Sequence, residues 1–346
     1  MTDIQALKAT ARELVAPAKG ILAADESTAT MGRRLESIGV ENTEENRRDY
    51  REMLFRTGGA SDYVSGVILY DETIRQKAAD GTPFVQVLQA QGIIPGIKVD
   101  AGLTPLPGAD GEVVTQGLDG LRERLAEYHD IGARFAKWRA LLNVGPSIPT
   151  SYCIDVNAHA LARYAALVQE AGLVPIVEPE VLMDGDHDIA RCHEATESML
   201  REVFRQLAVQ GVALEGMLLK PNMVVSGSAA PDRAGAEEVA ERTVSVFLRT
   251  IPPAMPGVVF LSGGQNDDDA TTNLQAIAVA GAEAGAPWQL TYSYGRGLQA
   301  LPLATWGGDA ANVKKAQRAF LHRCRVTSAA RQGAYTPAME KELAAV

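Results

Sequence analysis

The sequence predicts an α/β fold of the (β/α)8 TIM-barrel type, with a helix before the barrel and a tail after it. Eight short apolar runs alternate with helical stretches, the pattern of a parallel sheet wound by crossover helices. Reactive-looking residues end several of these runs: Lys98, Lys137, Glu178, Lys220 and Ser262 follow one another at nearly equal steps. Barrels of this type typically take about 250 residues. With 346 residues here, insertions and terminal arms must account for the surplus. No linker rich in Gly, Ser or Pro divides the chain, so residues 1–346 read as a single domain. An open doubly wound sheet shares the alternation, but the GxGxxG of its dinucleotide-binding version is absent, and GRG at 295–297 is too short.

The elements follow in order. Ile4, Leu7 and Val15, with alanines between, give an amphipathic first helix; Asp3, Glu13 and the short apolar content argue against a secretory signal. The strand candidates are GILAAD (20–25), VSGVILY (64–70), IIPGIKVD (93–100), RFAKWRALL (134–142), VPIVEPEVL (174–182), EGMLLKPNM (215–223), GVVFLSGG (257–264) and QLTYSYG (289–295). All are rich in Val, Ile, Leu or aromatics, and Gly or Pro flanks most of them. Among the helices, ENTEENRRDYREML opens with Asn42 as expected cap and Glu45 three residues on, a capping-box pattern. Leu161, Tyr164, Ala165 and Val168 share one face of a helix that Gly172 ends; Val239, Val246 and Phe247 share a face of another. The turn-rich TPLPGADGEVVTQ (104–116) reads as an excursion after the third strand.

Composition removes several function classes. The net charge is −10, from 33 basic and 43 acidic residues, and no basic block stands out, so nucleic acid and anionic membrane are not expected partners. No apolar run reaches the length of a membrane span. Cys153, Cys192 and Cys324 show no CxxC spacing, which points away from a disulfide framework or zinc knuckle and fits a reducing cytosol. The five histidines, His129, His159, His187, His193 and His322, end no predicted strand and read as surface residues, and HExxH is absent, so no metal is expected.

In a barrel, active sites gather at the C-terminal ends of the strands. Residues two apart on a strand share a face. Lys98 with Asp100, Lys137 with Arg139, and Glu178 with Glu180 would therefore meet Asp25 and Lys220 in one pocket. A lysine at the end of a buried strand is costly unless paired, and an amine of lowered pKa is a nucleophile suited to imine formation. Lys137 beside Lys220 is expected to depress one of the two lysines. Glu178 would carry protons. The loops after the last two strands, SGGQ (262–265) and SYGRG (293–297), lie where such barrels bind phosphate, with glycine amides, Ser262, Ser293 and Arg296 as donors. Arg34, Lys98 and Arg139 would hold a second phosphate across the pocket.

With these residues in hand, the chain closely resembles a class I fructose-1,6-bisphosphate aldolase from about Leu14 to Tyr335. The resemblance rests on KGILAADES, ENTEENRR, GIKVD, TQGLDGL, FAKWR, PIVEPE, DGDHD, LLKPNM, FLSGGQ and SYGRGLQA. It implies a cytosolic, metal- and cofactor-independent lyase, usually a homotetramer, that cleaves a sugar bisphosphate in glycolysis and gluconeogenesis. By position it implies Lys220 as the Schiff-base lysine and Glu178 as the main proton carrier, assisted by Asp25, Lys137 and Glu180. It further implies Ser262, Gly263, Gly264, Ser293 and Arg296 at one phosphate, with Arg34, Lys98 and Arg139 toward the other. Animal members carry a C-terminal tyrosine that helps with proton transfer; this sequence ends in MEKELAAV, its last tyrosine is Tyr335, and that assignment does not carry over. A transaldolase-like imine barrel would need only one phosphate grip, and a scaffold without chemistry would not need Asp25, Lys137, Glu178 and Lys220 together.

Overall fold

All eight apolar runs become parallel strands that close on themselves. The computed structural model describes residues 3–345. The strands are β1 (Gly20–Ala24), β2 (Val64–Leu69), β3 (Ile94–Lys98), β6 (Phe135–Leu142), β7 (Val174–Val181), β8 (Leu218–Leu219), β9 (Gly257–Phe260) and β10 (Gln289–Tyr294). Their order around the barrel is β1-β10-β9-β8-β7-β6-β3-β2, and every pairing is parallel. Closure excludes the open doubly wound sheet. The excursion at 104–116 folds as an antiparallel hairpin of β4 (Leu103–Pro105) and β5 (Val113–Thr115) outside the barrel.

The barrel interior is apolar at its N-terminal end. Ile21, Ile68, Phe135, Val174, Ile176, Leu218 and Val259 form this floor, and the first helix, Ile4–Leu14, stoppers it with Leu7, Ala11 and Leu14. Asp3 caps that helix, accepting from the Gln5 and Ala6 amides at 3.0 and 3.1 Å. Phe135 needs the space that Gly96 leaves: a Cβ there would stand 2.3 Å from the ring. Between the barrel and its outer helices lies the larger core. Leu161, Tyr164, Ala165 and Val168 are fully buried on the helix Ser151–Glu170, as are Val239, Val246 and Phe247 on Ala236–Thr250. Gly172, at φ +75°, follows the first of these as expected.

Two sequence expectations shift. The helix Glu44–Phe55 is capped by Thr43, whose hydroxyl accepts from the Asn46 amide at 3.1 Å, rather than by Asn42. The Asn42 side-chain carbonyl is engaged elsewhere, accepting from Arg47 Nη1 at 2.9 Å. The sixth run, expected over 215–223, keeps only two strand residues in β8. A 3-10 turn at Leu214–Gly216 precedes it, and Pro221, which has no amide to donate, follows Lys220.

Candidate active site

The C-terminal ends of the strands open into a cavity of about 740 Å³. Asp25, Lys98, Asp100, Lys137, Arg139, Glu178, Glu180 and Lys220 all line it, as the alternation along the strands predicts. Each lies on a barrel strand or within two residues of its end, so the charged side chains are held on rigid backbone.

At the centre, Glu178 bridges two lysines. Its Oε1 lies 3.4 Å from Lys220 Nζ and its Oε2 3.0 Å from Lys137 Nζ. Lys137 Nζ also reaches Asp25 Oδ2 at 2.7 Å. All four side chains are almost withdrawn from solvent; Lys220 is 3% exposed. Burial alone would push the Asp25 carboxyl up, but the charges of Lys137 and Lys220 reverse this and hold it well below the usual carboxylate range. Glu178 behaves the same way: burial raises it, and Lys137, Lys220 and Arg139 together lower it. The expectation that crowding depresses a lysine fails at Lys137. Burial does act downward there, yet Asp25 and Glu178 outweigh it and keep the group an ammonium.

Around this centre the cations are paired in turn. The Arg139 guanidinium donates to Glu180 Oε2, and its backbone amide to Asp100 Oδ2 at 3.4 Å. Lys98 Nζ stands 3.7 Å from Asp100 Oδ1 and 5.5 Å from the centroid of the Tyr70 ring. On the opposite wall, Ser262, Gly263, Ser293, Gly295 and Arg296 line the cavity. The Ser293 hydroxyl is buried with no hydrogen-bond partner, a donor available to a ligand oxygen. Arg296 opens the helix Arg296–Trp306, whose cap Gly295 offers no side chain to the first amides, an arrangement suited to anions. Arg296 Nη2 meanwhile donates to the Gly263 and Gln265 carbonyls at 2.8 and 3.3 Å and ties this helix to the loop after β9.

Some expected positions fall elsewhere. Gly264 does not line this cavity; it packs where a Cβ would meet Met183 at 2.8 Å. Arg34 lines the cavity but stands beside Gly295, paired with Glu26, rather than across the pocket with Lys98 and Arg139. Sequence reasoning missed Glu26, Ser27, Thr30 and Arg33, which the start of the helix Thr28–Glu36 brings to the rim; their only signal was adjacency to Asp25. His187 and His322 are buried rather than at the surface, His187 in a loop strapped by the Gly227 amide, which donates to its carbonyl at 2.8 Å. All three cysteines are unpaired and buried, and burial pushes the Cys153 and Cys192 thiols up to about 12 and about 11. Among the described residues no group of three or more His, Cys, Asp and Glu is arranged to hold a metal ion, and no helix is long and apolar enough to cross a membrane.

The family model described as fructose-bisphosphate aldolase class-I matches residues 6–345. The chain belongs to the class-I fructose-bisphosphate aldolase family. A probable class 1 fructose-bisphosphate aldolase of Xanthomonas campestris is 54% identical over 332 residues, covering 96% of this chain and 98% of that protein. The fructose-bisphosphate aldolase of Dictyostelium discoideum is 54% identical over 333 residues, covering 95% and 92% of the two chains. A crystal structure of the Plasmodium falciparum fructose-bisphosphate aldolase, in complex with TRAP and a small-molecule inhibitor, superposes with a TM-score of 0.94 at 49% identity, covering 96% of each chain. As a class-I aldolase, the chain is a metal-independent lyase that reversibly cleaves fructose 1,6-bisphosphate to dihydroxyacetone phosphate and glyceraldehyde 3-phosphate.

Proposed function

We propose that Lys220 forms the imine through which this aldolase cleaves its substrate, with Glu178 as the proton carrier. The observation that supports this most directly is one buried carboxylate within 3.4 Å of Lys220 Nζ and 3.0 Å of Lys137 Nζ. An ammonium cannot attack a carbonyl. Glu178 takes the proton from Lys220, and the free amine adds to the C2 ketone of the open-chain sugar bisphosphate. Glu178 returns a proton to the C2 oxygen, water departs, and a cationic imine remains. The C4 hydroxyl gives up its proton to the Asp25–Lys137 pair. The C3–C4 bond then breaks and its electrons move into the imine, leaving an enamine on Lys220. Glyceraldehyde 3-phosphate leaves. Protonation at C3 and addition of water at C2 release dihydroxyacetone phosphate and restore the amine. Lys137, kept charged, stabilises the developing anions, and Glu180 fixes Arg139.

One phosphate would sit on Ser262, Gly263, Ser293, Arg296 and the first amides of the helix Arg296–Trp306, with Arg34 alongside. The other would be held by Lys98 and Arg139. The chain works as one barrel domain in the cytosol within glycolysis and gluconeogenesis, assembled as a homotetramer. An Arabidopsis thaliana relative, 54% identical over 329 residues, is named a cytosolic fructose-bisphosphate aldolase, which supports the location; light scattering tests the assembly. For the mechanism, incubation with dihydroxyacetone phosphate followed by borohydride reduction is expected to leave an adduct on Lys220, mapped by mass spectrometry, and Lys220→Ala to lower turnover by about 10⁴-fold or more. An adduct on another residue, or normal turnover in Lys220→Ala, defeats the assignment.

A further inference from the structure

The strands that carry Glu178 and Lys220 lose their backbone ladder just where the two side chains meet. β7 and β8 pair Ile176 with Leu218 and Val177 with Leu219, and the Lys220 amide donates to the Val177 carbonyl at 2.8 Å. Continued one step past Lys220, this register sets Pro179 against Pro221, and neither has an amide to donate. The next bond between the two segments is made by a side chain. Asn222 Oδ1 accepts from the Val181 amide at 3.0 Å. Asn222 Nδ2 donates to Thr196 Oγ1 at 3.1 Å and to the Met223 carbonyl at 3.0 Å. Asn222 is 4% exposed and Thr196 2%, and Thr196 belongs to the helix Ile189–Val209, which packs against β7. Both donors and the acceptor of this buried amide are therefore engaged.

We propose that Asn222 is a positioning residue for the cleavage reaction: it replaces the missing ladder bond and, braced by Thr196, fixes the separation between Lys220 Nζ and Glu178. This rests on the assignment of Lys220 as the imine lysine. Asn222 does not line the active-site cavity, so it acts only through the strands it joins. When the brace is lost, Lys220 drifts from Glu178. Proton transfer within the pair then slows, while the phosphate grips on the other strands keep their geometry.

The charge environment provides a signature that general loosening would not. Glu178 faces Lys137 and Arg139 from β6, Lys220 from the segment after β8 and Asp25 from the segment after β1. Burial raises its carboxyl, the three cations lower it and Asp25 opposes them. Withdrawal of Lys220 removes one lowering influence, so the carboxyl moves up and the acid limb of the kcat profile moves to higher pH. Asn222→Ala is expected to lower kcat about 10- to 100-fold, to leave KM for fructose 1,6-bisphosphate within about threefold, and to shift that limb upward. Thr196→Val, which keeps the bond to Val181, is expected to show a smaller loss and a shift of the same sign, and it decides the matter if Asn222→Ala does not fold. Borohydride trapping on Lys220 in the unaltered chain checks the parent assignment separately. With that adduct present, wild-type kcat in the variants, or a reduced kcat with an unmoved acid limb, overturns the proposal.

Discussion

Along β7, Val174 and Ile176 belong to the apolar floor, while Glu178 and Glu180 line the charged cavity further along the same strand. β6 repeats the contrast, with Phe135 below and Lys137 and Arg139 above. One alternation rule sends all these side chains inward, so facing the interior does not itself decide polarity. Height along the barrel does. At the floor, burial is compensated by close packing against Leu7, Leu14 and the glycines that admit Phe135. At the mouth, burial is compensated only by charge, in the connected set Asp25–Lys137–Glu178–Lys220. The floor is replaceable by other apolar shapes of the same volume; the mouth requires its full set of partners.

Three substitutions or titrations can break this contrast. Lys137→Met is expected to have the largest effect, lowering turnover about 10²- to 10⁴-fold in steady-state assays and raising the apparent pKa of Glu178, while far-ultraviolet circular dichroism stays unchanged. If turnover barely moves, the mouth is not the integrated unit described. Phe135→Ala should do the reverse: a loss of about 3–5 kcal/mol in stability by denaturant titration, with kcat of the folded protein nearly intact. A large kcat loss there would mean that floor and mouth are mechanically coupled. The smallest effect is expected in acid. Asp25 and Glu178 are held below their ordinary values of 3.8 and 4.5 in the folded chain. Their contribution is therefore complete above that range and is lost as pH falls through it toward their folded values. Thermal midpoints measured downward from pH 5 should decline, and Asp25→Asn should flatten that decline. An equally steep decline in the variant would exclude Asp25 as a source.

Strand existence and inward parity were legible because both depend on local pattern: apolar runs ended by charge, and a period of two. Lys98, Lys137, Glu178 and Lys220, all of which line the cavity, carry this signal in the sequence. What was not legible depends on distant parts of the chain. The length of β8 reflects a proline on a neighbouring strand as well as its own. The cap of the helix Glu44–Phe55 moved by one residue because Arg47 occupies the Asn42 carbonyl. Arg34 sits beside Gly295, from the far end of the chain, and Gly264 turns away against Met183. Lys137 remains charged because carboxylates from two other strands reach it, a fact of closure that strand-by-strand reading does not contain.

The helix Ile4–Leu14 makes the barrel a cul-de-sac. With Leu7, Ile176 and Val259 buried beneath Lys220, no exit runs through the floor among the described residues. Both fragments of the cleaved sugar must depart past the residues that admitted it. One opening thus serves entry and departure alike, so a molecule lodged at the mouth closes the site to all other traffic.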